Sequence, residues 1–145
     1  MPSRRSVILL ATAALATAGV SYPLLFPAFA GPTLDAPTAF QRAAAGEVLL
    51  VDIRRPDEWQ ASGSGLGAHR IDMRRPDFVE ALTSLAKGDR SRPIALICAR
   101  GVRSARLAKV LTDAGFSAIS DVPEGMLGSS AGPGWLARGL PLVAN

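Results

Sequence analysis

The chain has 145 residues, 48% of them hydrophobic, and contains no internal repeat or low-complexity segment, which is typical of a single domain with one core. Its net charge is +4, from 16 Lys and Arg against 12 Asp and Glu, and only 6% of its residues are aromatic. The basic residues are scattered and are not interleaved with stacking aromatics, so the composition gives no support to a nucleic-acid partner.

Residues 1–30 differ from the rest of the chain. The pair Arg4 and Arg5 precedes the uncharged stretch 7–29, and the small-x-small sequence 28–30 follows at its end. This order predicts an export signal that is cleaved after Ala30, and the arginine pair resembles a twin-arginine signal. The stretch is also long enough to span a bilayer, so an uncleaved anchor holding the domain outside the cytoplasm is the alternative. We therefore expect residues 31–145 to form one periplasmic or otherwise exported domain.

Cys98 is the only cysteine, so no disulfide can form within the chain. The fold must rest on its apolar core. An unpaired thiol in an oxidising compartment is easily oxidised, so its presence indicates a role. The alternative is a buried cysteine that serves as a small apolar side chain.

From residue 35 onward, helical and extended patterns alternate. The first half predicts a helix over 38–45 ended by Gly46, a buried strand over 48–51, a helical turn from Pro56, a flexible loop over 62–67 and a helix capped by Asp77. The second half predicts a strand over 94–97, a helix from residue 103 closed by Gly115, a strand from residue 118 and a glycine- and proline-rich stretch over 123–143. This alternation predicts an α/β fold of three layers, with a central parallel sheet flanked by helices.

Chemistry in such folds lies at the carboxyl ends of the strands. The first strand delivers Asp52 and Arg54 there, and the strand over 94–97 delivers Cys98. Cys98 opens a short loop that contains Gly101 and leads into a helix. Loop amides and the helix dipole form an anion cradle, and together with Arg100 and Arg103 they favour a thiolate at Cys98.

The loop over 98–104 resembles the active-site loop of rhodanese-like sulfurtransferases. The resemblance continues in the strand over 50–54 with Pro56, Glu58 and Trp59, and in segments 67–71 and 135–141. It covers approximately residues 35–143. It implies a rhodanese-like fold and a persulfide relay without a cofactor. In that relay Cys98 takes a sulfane sulfur from a donor such as thiosulfate and passes it to cyanide or a thiol, including that of a thioredoxin-like protein.

The resemblance assigns substrate binding to the residues that follow the nucleophile, namely Ala99, Arg100, Gly101, Val102, Arg103 and Ser104. Arg100 and Arg103 would pair with an anionic donor, although an ion pair of Arg103 outside the pocket is the alternative. Asp52 and Arg54 would brace the loop as supporting residues. His69 is the only histidine, so a metal site has no basis.

Two positions depart from the family pattern. Ser64 stands where the family usually has histidine, and Glu124–Gly125 replaces the usual glycine pair after the last strand. The first change is expected to alter a structural hydrogen bond. The second is expected to reshape the loop that faces Cys98.

Two alternatives remain. A cysteine phosphatase of related fold needs an arginine after five intervening residues, at position 104, where this chain has Ser104. The loop to Arg103 is one residue shorter and better suited to a sulfur atom than to a phosphate group. The second alternative is a module that binds a sulfur compound or a partner protein without turnover.

Overall fold

The computed structural model describes residues 29–144 of the chain. Nearly all of the predicted export signal therefore lies outside the described residues, and its cleavage after Ala30 stays a prediction. Within residues 29–144 no helix is both long enough and apolar enough to cross a membrane.

Four helices and six strands follow one another in residues 29–144. In chain order they are α1 (Ala36–Ala44), β1 (Leu49–Asp52), α2 (Pro56–Ser62), β2 (Ser64–Gly65), β3 (His69–Arg70), α3 (Phe78–Leu85), β4 (Ile94–Ile97), α4 (Val102–Asp113), β5 (Ile119–Asp121) and β6 (Leu142–Val143).

The main sheet has four parallel strands in the order β3-β1-β4-β5. In its register Leu49 lies opposite Ile94, and Ile94 lies opposite Ile119. Strands β2 and β6 form a separate antiparallel pair. The predicted α/β class with a central parallel sheet is confirmed.

The two faces of the sheet belong to different apolar clusters. Alternate residues Leu49 and Val51 pack with side chains of α3 and α4, whereas Leu50 packs with side chains of α1 and with Trp135. A strand that is covered on both faces needs an unbroken apolar run rather than an alternating one. This is why the runs that predicted β1 and β4 contain no polar position before their ends.

Two local predictions were wrong. Asp77 makes no capping hydrogen bond to the helix amides; its two carboxylate oxygens accept from Arg75, at 2.8 and 2.6 Å. The segment 62–67, expected to be a flexible loop, contains β2, and Ser64 is buried there. The partner that determines the structure of segment 62–67 is β6, which the local pattern does not reveal.

Residues 29–34 run along the outer edge of β5. The Asp121 amide donates to the Pro32 carbonyl at 3.0 Å, and the Leu34 amide donates to the Asp121 carbonyl at 2.9 Å. Phe29 packs against the core cluster that contains α3 and α4. This segment therefore covers the edge strand of the sheet and buries Asp121, which is 3% exposed.

Candidate active site

Cys98 lies between the end of β4 and the start of α4. The intervening turn places Gly101 in the left-handed region, with φ of 85°. A Cβ atom on Gly101 would lie 2.1 Å from the carbonyl oxygen of Pro123, so only glycine fits without displacing the backbone. This turn brings the amides at the start of α4 back towards the sulfur.

Three groups surround the sulfur of Cys98. The Gly101 amide donates to Sγ at 3.1 Å and the Ser104 amide at 3.5 Å, while the Ser104 hydroxyl lies 3.3 Å from Sγ. These donors stabilise a negative charge on the sulfur, and the dipole of α4 adds to their effect. Cys98 itself is only 1% exposed, so its sulfur lies at the base of the loop rather than on the surface.

The segment after β5 holds the loop over 98–104 in place through backbone hydrogen bonds. The Met126 amide donates to the Cys98 carbonyl at 2.9 Å, and the Leu127 amide donates to the Ala99 carbonyl at 2.8 Å. Gly125, with φ of 64°, lies so close that a Cβ atom would be 2.4 Å from the Ala99 carbonyl oxygen. The loop is therefore held by backbone contacts on the side opposite α4.

Arg100 and Arg103 have different surroundings. Arg100 is exposed, and its Nη1 donates to the Gly128 carbonyl at 3.2 Å. Within residues 29–144 no carboxylate lies within salt-bridge distance of its guanidinium. Arg100 therefore keeps its charge available to a ligand at the rim of the loop.

Arg103 forms a bidentate ion pair with Glu58 of α2. Its Nη1 and Nη2 donate to the two carboxylate oxygens at 2.8 and 2.6 Å. This contact holds the pKa of Glu58 below its ordinary value, and Glu58 together with the nearby Cys98 raises the pKa of Arg103. The ion pair is the alternative that the sequence left open for Arg103.

Asp52 and Arg54 form a buried ion pair at the end of β1, with Nη2 of Arg54 at 2.8 Å from Asp52 Oδ2. Arg54 also donates to the Ser62 hydroxyl at 2.9 Å and to the Gly63 carbonyl at 2.7 Å. These bonds fix the end of α2 rather than the loop over 98–104. The support that reaches Arg103 therefore passes through α2 and its residue Glu58.

The sequence profile of the rhodanese-like domain family matches residues 36–131, which is more than half of the chain. The chain belongs to the rhodanese-like domain family. A search of curated protein sequences found no significant match.

Solved structures show the same fold. The polysulfide-sulfur transferase homodimer of Wolinella succinogenes is 28% identical, with a TM-score of 0.58 and 79% of each chain covered. A Rhodopseudomonas palustris protein of unknown function, described as a possible tyrosine phosphatase, is 25% identical, with a TM-score of 0.59 and coverage of 77% of this chain and 84% of that one. A human single-domain sulfurtransferase is 22% identical, with a TM-score of 0.52 and coverage of 66% and 91%. The family match and the similarity to the Wolinella succinogenes polysulfide-sulfur transferase support a sulfurtransferase in general terms, whereas the human protein shows the fold alone.

The two departures of this rhodanese-like domain from the family pattern have visible structural partners. The Ser64 hydroxyl accepts from Arg70 Nε at 2.8 Å. Glu124 is 1% exposed and accepts from the amides of Ala36 and Gly134 and from Arg138 Nε, at 2.7 to 2.8 Å. Although burial acts to raise it, these donors hold the pKa of Glu124 below its ordinary value. Glu124 thus ties the loop after β5 to α1 and to the segment around residue 134.

Trp135 and His69 are not among the hydrogen-bond partners of the Cys98 sulfur in the described residues. Trp135 is fully buried, donates from Nε1 to the Pro141 carbonyl at 3.0 Å and meets the Phe40 ring edge to face, so it belongs to the core. His69 is exposed on β3. Across residues 29–144, no group of three or more His, Cys, Asp or Glu side chains is arranged to hold a metal ion.

The sequence does not indicate the ion pair of Glu58 or the burial of Asp121. Nothing near Glu58 in the chain points to a partner 45 residues away. Asp121 ends a parallel strand, as Asp52 does. The rule that drew attention to Asp52, a polar residue at the carboxyl end of a parallel strand, would have identified Asp121 as well.

Proposed function

We propose that this rhodanese-like domain is a sulfurtransferase that carries sulfane sulfur as a persulfide on Cys98. The observation that supports the proposal most strongly is the arrangement around the sulfur, where the amides of Gly101 and Ser104 point at Sγ from a loop that ends at the start of α4. The family match supports the same chemistry.

The proposed reaction has two displacement steps, with thiosulfate as the donor. The Cys98 thiolate attacks the outer sulfur of thiosulfate, the S–S bond of the donor breaks, and sulfite leaves with the bonding electron pair. A nucleophile such as cyanide or a thiolate then attacks the outer sulfur of the persulfide. The new S–S bond breaks, the product leaves as thiocyanate or a persulfide, and the Cys98 thiolate is restored. The loop amides compensate the negative charge on sulfur in both steps.

The cation assigned to the donor is Arg100. Thiosulfate is a dianion, and Arg100 is the exposed guanidinium of the loop without a carboxylate partner in the described chain. Arg103 is neutralised by Glu58 and acts by holding the start of α4 against α2. Loss of Arg100 therefore raises KM for thiosulfate, whereas loss of Arg103 weakens the structure that aligns the amides.

The experiment is a thiocyanate assay with thiosulfate and cyanide on the wild type, Cys98→Ala and Arg100→Gln. We expect turnover by the wild type, none by Cys98→Ala and a KM for thiosulfate raised about tenfold in Arg100→Gln, because one charge-assisted contact contributes about 1.5 kcal/mol. Arg42→Gln, which changes an exposed arginine on α1, is the matched control. Absence of turnover with every sulfane donor would reject the proposal.

Phosphatase activity is the second candidate because the loop also suits a small anion and one structural neighbour is described as a possible tyrosine phosphatase. Ser104 occupies the position where that chemistry needs an arginine. Hydrolysis of an aryl phosphate that is lost in Cys98→Ser would establish this candidate. A persulfide that forms but is never passed on would instead indicate a sulfur-binding module.

The proposed location is outside the cytoplasm, and the proposed physiological acceptor is a thiol, such as that of a thioredoxin-like protein. Val102 and Leu127 next to the loop are 59% and 46% exposed, and an apolar rim of this kind suits contact with a protein. N-terminal sequencing of the exported protein tests the signal. Cleavage after Ala30 would remove Phe29 from its contact with the core.

A further inference from the structure

Asp121 has a buried carboxyl group that the proposed reaction does not use. The residue ends β5 and is 3% exposed. Its Oδ1 is buried without a hydrogen-bond partner among residues 29–144. A buried carboxylate normally has its lone pairs satisfied, so this atom indicates a group with a specific task or in an unusual protonation state.

The backbone keeps this carboxyl group in place. The Asp121 amide and carbonyl are both bonded to residues 32–34, and the next amide, that of Val122, donates to the Leu96 carbonyl at 3.0 Å. These bonds fix the backbone of Asp121, and its 3% exposure shows that the side chain is enclosed.

The Ser104 hydroxyl, which is fully buried, is close enough to the Asp121 carboxyl group to act on the pKa of that group. The Ser104 hydroxyl lies 3.3 Å from the sulfur of Cys98 and 3.2 Å from the Gly101 carbonyl oxygen. A hydroxyl has one hydrogen to donate. The sulfur of Cys98, the Gly101 carbonyl oxygen and the carboxylate of Asp121 therefore compete for the same hydrogen.

Burial raises the pKa of Asp121 to about 6, although the Ser104 hydroxyl and the Val122 amide act to lower it. Strand β4 and residues 32–34 bring no ionisable side chain to this group. The charged residues of α4 are Arg103, Arg106, Lys109 and Asp113. Of these, Arg103 is paired with Glu58, and Lys109 is paired with Asp113.

We propose that Asp121 is a positioning residue for Cys98, because its carboxyl group decides whether the Ser104 hydroxyl donates to the sulfur. When Asp121 is protonated, it donates to Ser104 Oγ, and Ser104 donates to the Cys98 thiolate. When Asp121 is ionised, Ser104 donates to the carboxylate instead of to the sulfur. No proton passes between Asp121 and Cys98. This inference rests on the proposed function only in that Cys98 acts as a nucleophile.

The experiment measures the rate of alkylation of Cys98 by iodoacetamide between pH 5 and pH 8, so it needs no sulfur donor and is independent of whether sulfur transfer occurs. Asp121→Asn keeps a neutral side chain that donates. We expect it to alkylate about three- to tenfold faster than the wild type at pH 7 and equally fast at pH 5, because one pKa unit of coupling corresponds to a tenfold change. Asp113→Asn, the same change on the exposed face of α4, is expected to leave the profile unchanged.

Ser104→Ala tests the route of the effect. In this background Asp121→Asn is expected to accelerate alkylation at pH 7 less than it does in the wild type, because the hydroxyl that links the two groups is missing. A purely structural role of Asp121 would scale the rate equally at every pH. A profile of Asp121→Asn that coincides with the wild type, or an effect of equal size without Ser104, would overturn the proposal.

A second measurement covers variants that fail to fold. Carbon-13 NMR of the wild type is expected to show the Asp121 carboxyl titrating near pH 6. In Ser104→Ala its midpoint is expected to rise, because a hydroxyl that donates to the ionised form is lost. A wild-type midpoint below pH 4 would mean that the carboxyl is ionised throughout the working range, and would also overturn the proposal.

Discussion

Arg54→Met should destabilise the domain far more than the loss of an ordinary surface arginine. The guanidinium of Arg54 is almost fully buried and bonds to both oxygens of Asp52, to the Ser62 hydroxyl and to the Gly63 carbonyl. Methionine fills part of the volume but supplies neither charge nor donors. Asp52, which is fully buried, would keep an uncompensated negative charge.

The expected loss in the free energy of unfolding is about 3–5 kcal/mol, the usual effect of removing one partner of a buried ion pair. For a domain of this size, this corresponds to a fall in Tm of about 12–20 °C. Circular dichroism during heating and urea titration measure it. Arg42→Met, which breaks an exposed pair with Glu47, serves as the control and should cost about 1 kcal/mol or less.

The combination Asp52→Asn with Arg54→Met isolates the charge. The double variant should be more stable than the sum of the single losses predicts, by about 1–3 kcal/mol, because no charge is left to bury. A loss in Arg54→Met no larger than that in Arg42→Met, or strict additivity of the two changes at residues 52 and 54, would contradict an effect of the buried charge.

Three further predictions concern the loop and its supports. Gly101→Ala should slow alkylation of Cys98 at least tenfold and lower Tm, as stopped-flow alkylation and calorimetry can check. The control is Gly46→Ala, because Gly46 also has a positive φ but has open space around it. This control should lower the free energy of unfolding by only about 1 kcal/mol and leave the alkylation rate unchanged. Glu58→Gln should lower Tm at pH 7, and the difference should vanish as the pH falls below 4.5, because the Arg103 contact depresses the pKa of Glu58 and its stabilisation is lost on protonation. In urea titrations at pH 7, the free energy of unfolding of Asp121→Asn should exceed that of the wild type by about 2–3 kcal/mol, and at pH 4 the two should be equal. The reason is that the raised pKa of Asp121 makes its ionisation oppose folding at pH values above the ordinary pKa of 3.8.

The elements that depend on local patterns could be predicted from the sequence. The unbroken run Ile94–Ile97 predicted β4 with its observed bounds, and the order of apolar runs and helical patterns predicted the parallel sheet. A glycine in a short loop is typical of a positive φ or a close backbone approach, and Gly101 has both. In these cases the property that the residue contributes, either burial on both faces or conformational freedom, is visible in the residue itself.

The parts that depend on pairing between distant residues could not be predicted. Arg103 bonds to Glu58, which is 45 residues away, and Ser64 lies opposite Val143. The resemblance of the loop implies that Arg103 faces an anionic donor and leaves an ion pair as the alternative, but the sequence does not show which carboxylate, here that of Glu58 on another helix, would form the pair. Asp77 shows a similar limit at short range, since its carboxylate bonds to the Arg75 side chain and not to the helix amides.

The central claim is that Cys98 carries sulfur. Mass spectrometry of the protein after incubation with thiosulfate and removal of excess donor tests it most directly. The account predicts a mass gain of one sulfur atom located on the peptide that contains Cys98, its loss as thiocyanate when cyanide is added, and no gain in Cys98→Ala. A folded protein whose Cys98 reacts with iodoacetamide but gains no sulfur from any sulfane donor would contradict it.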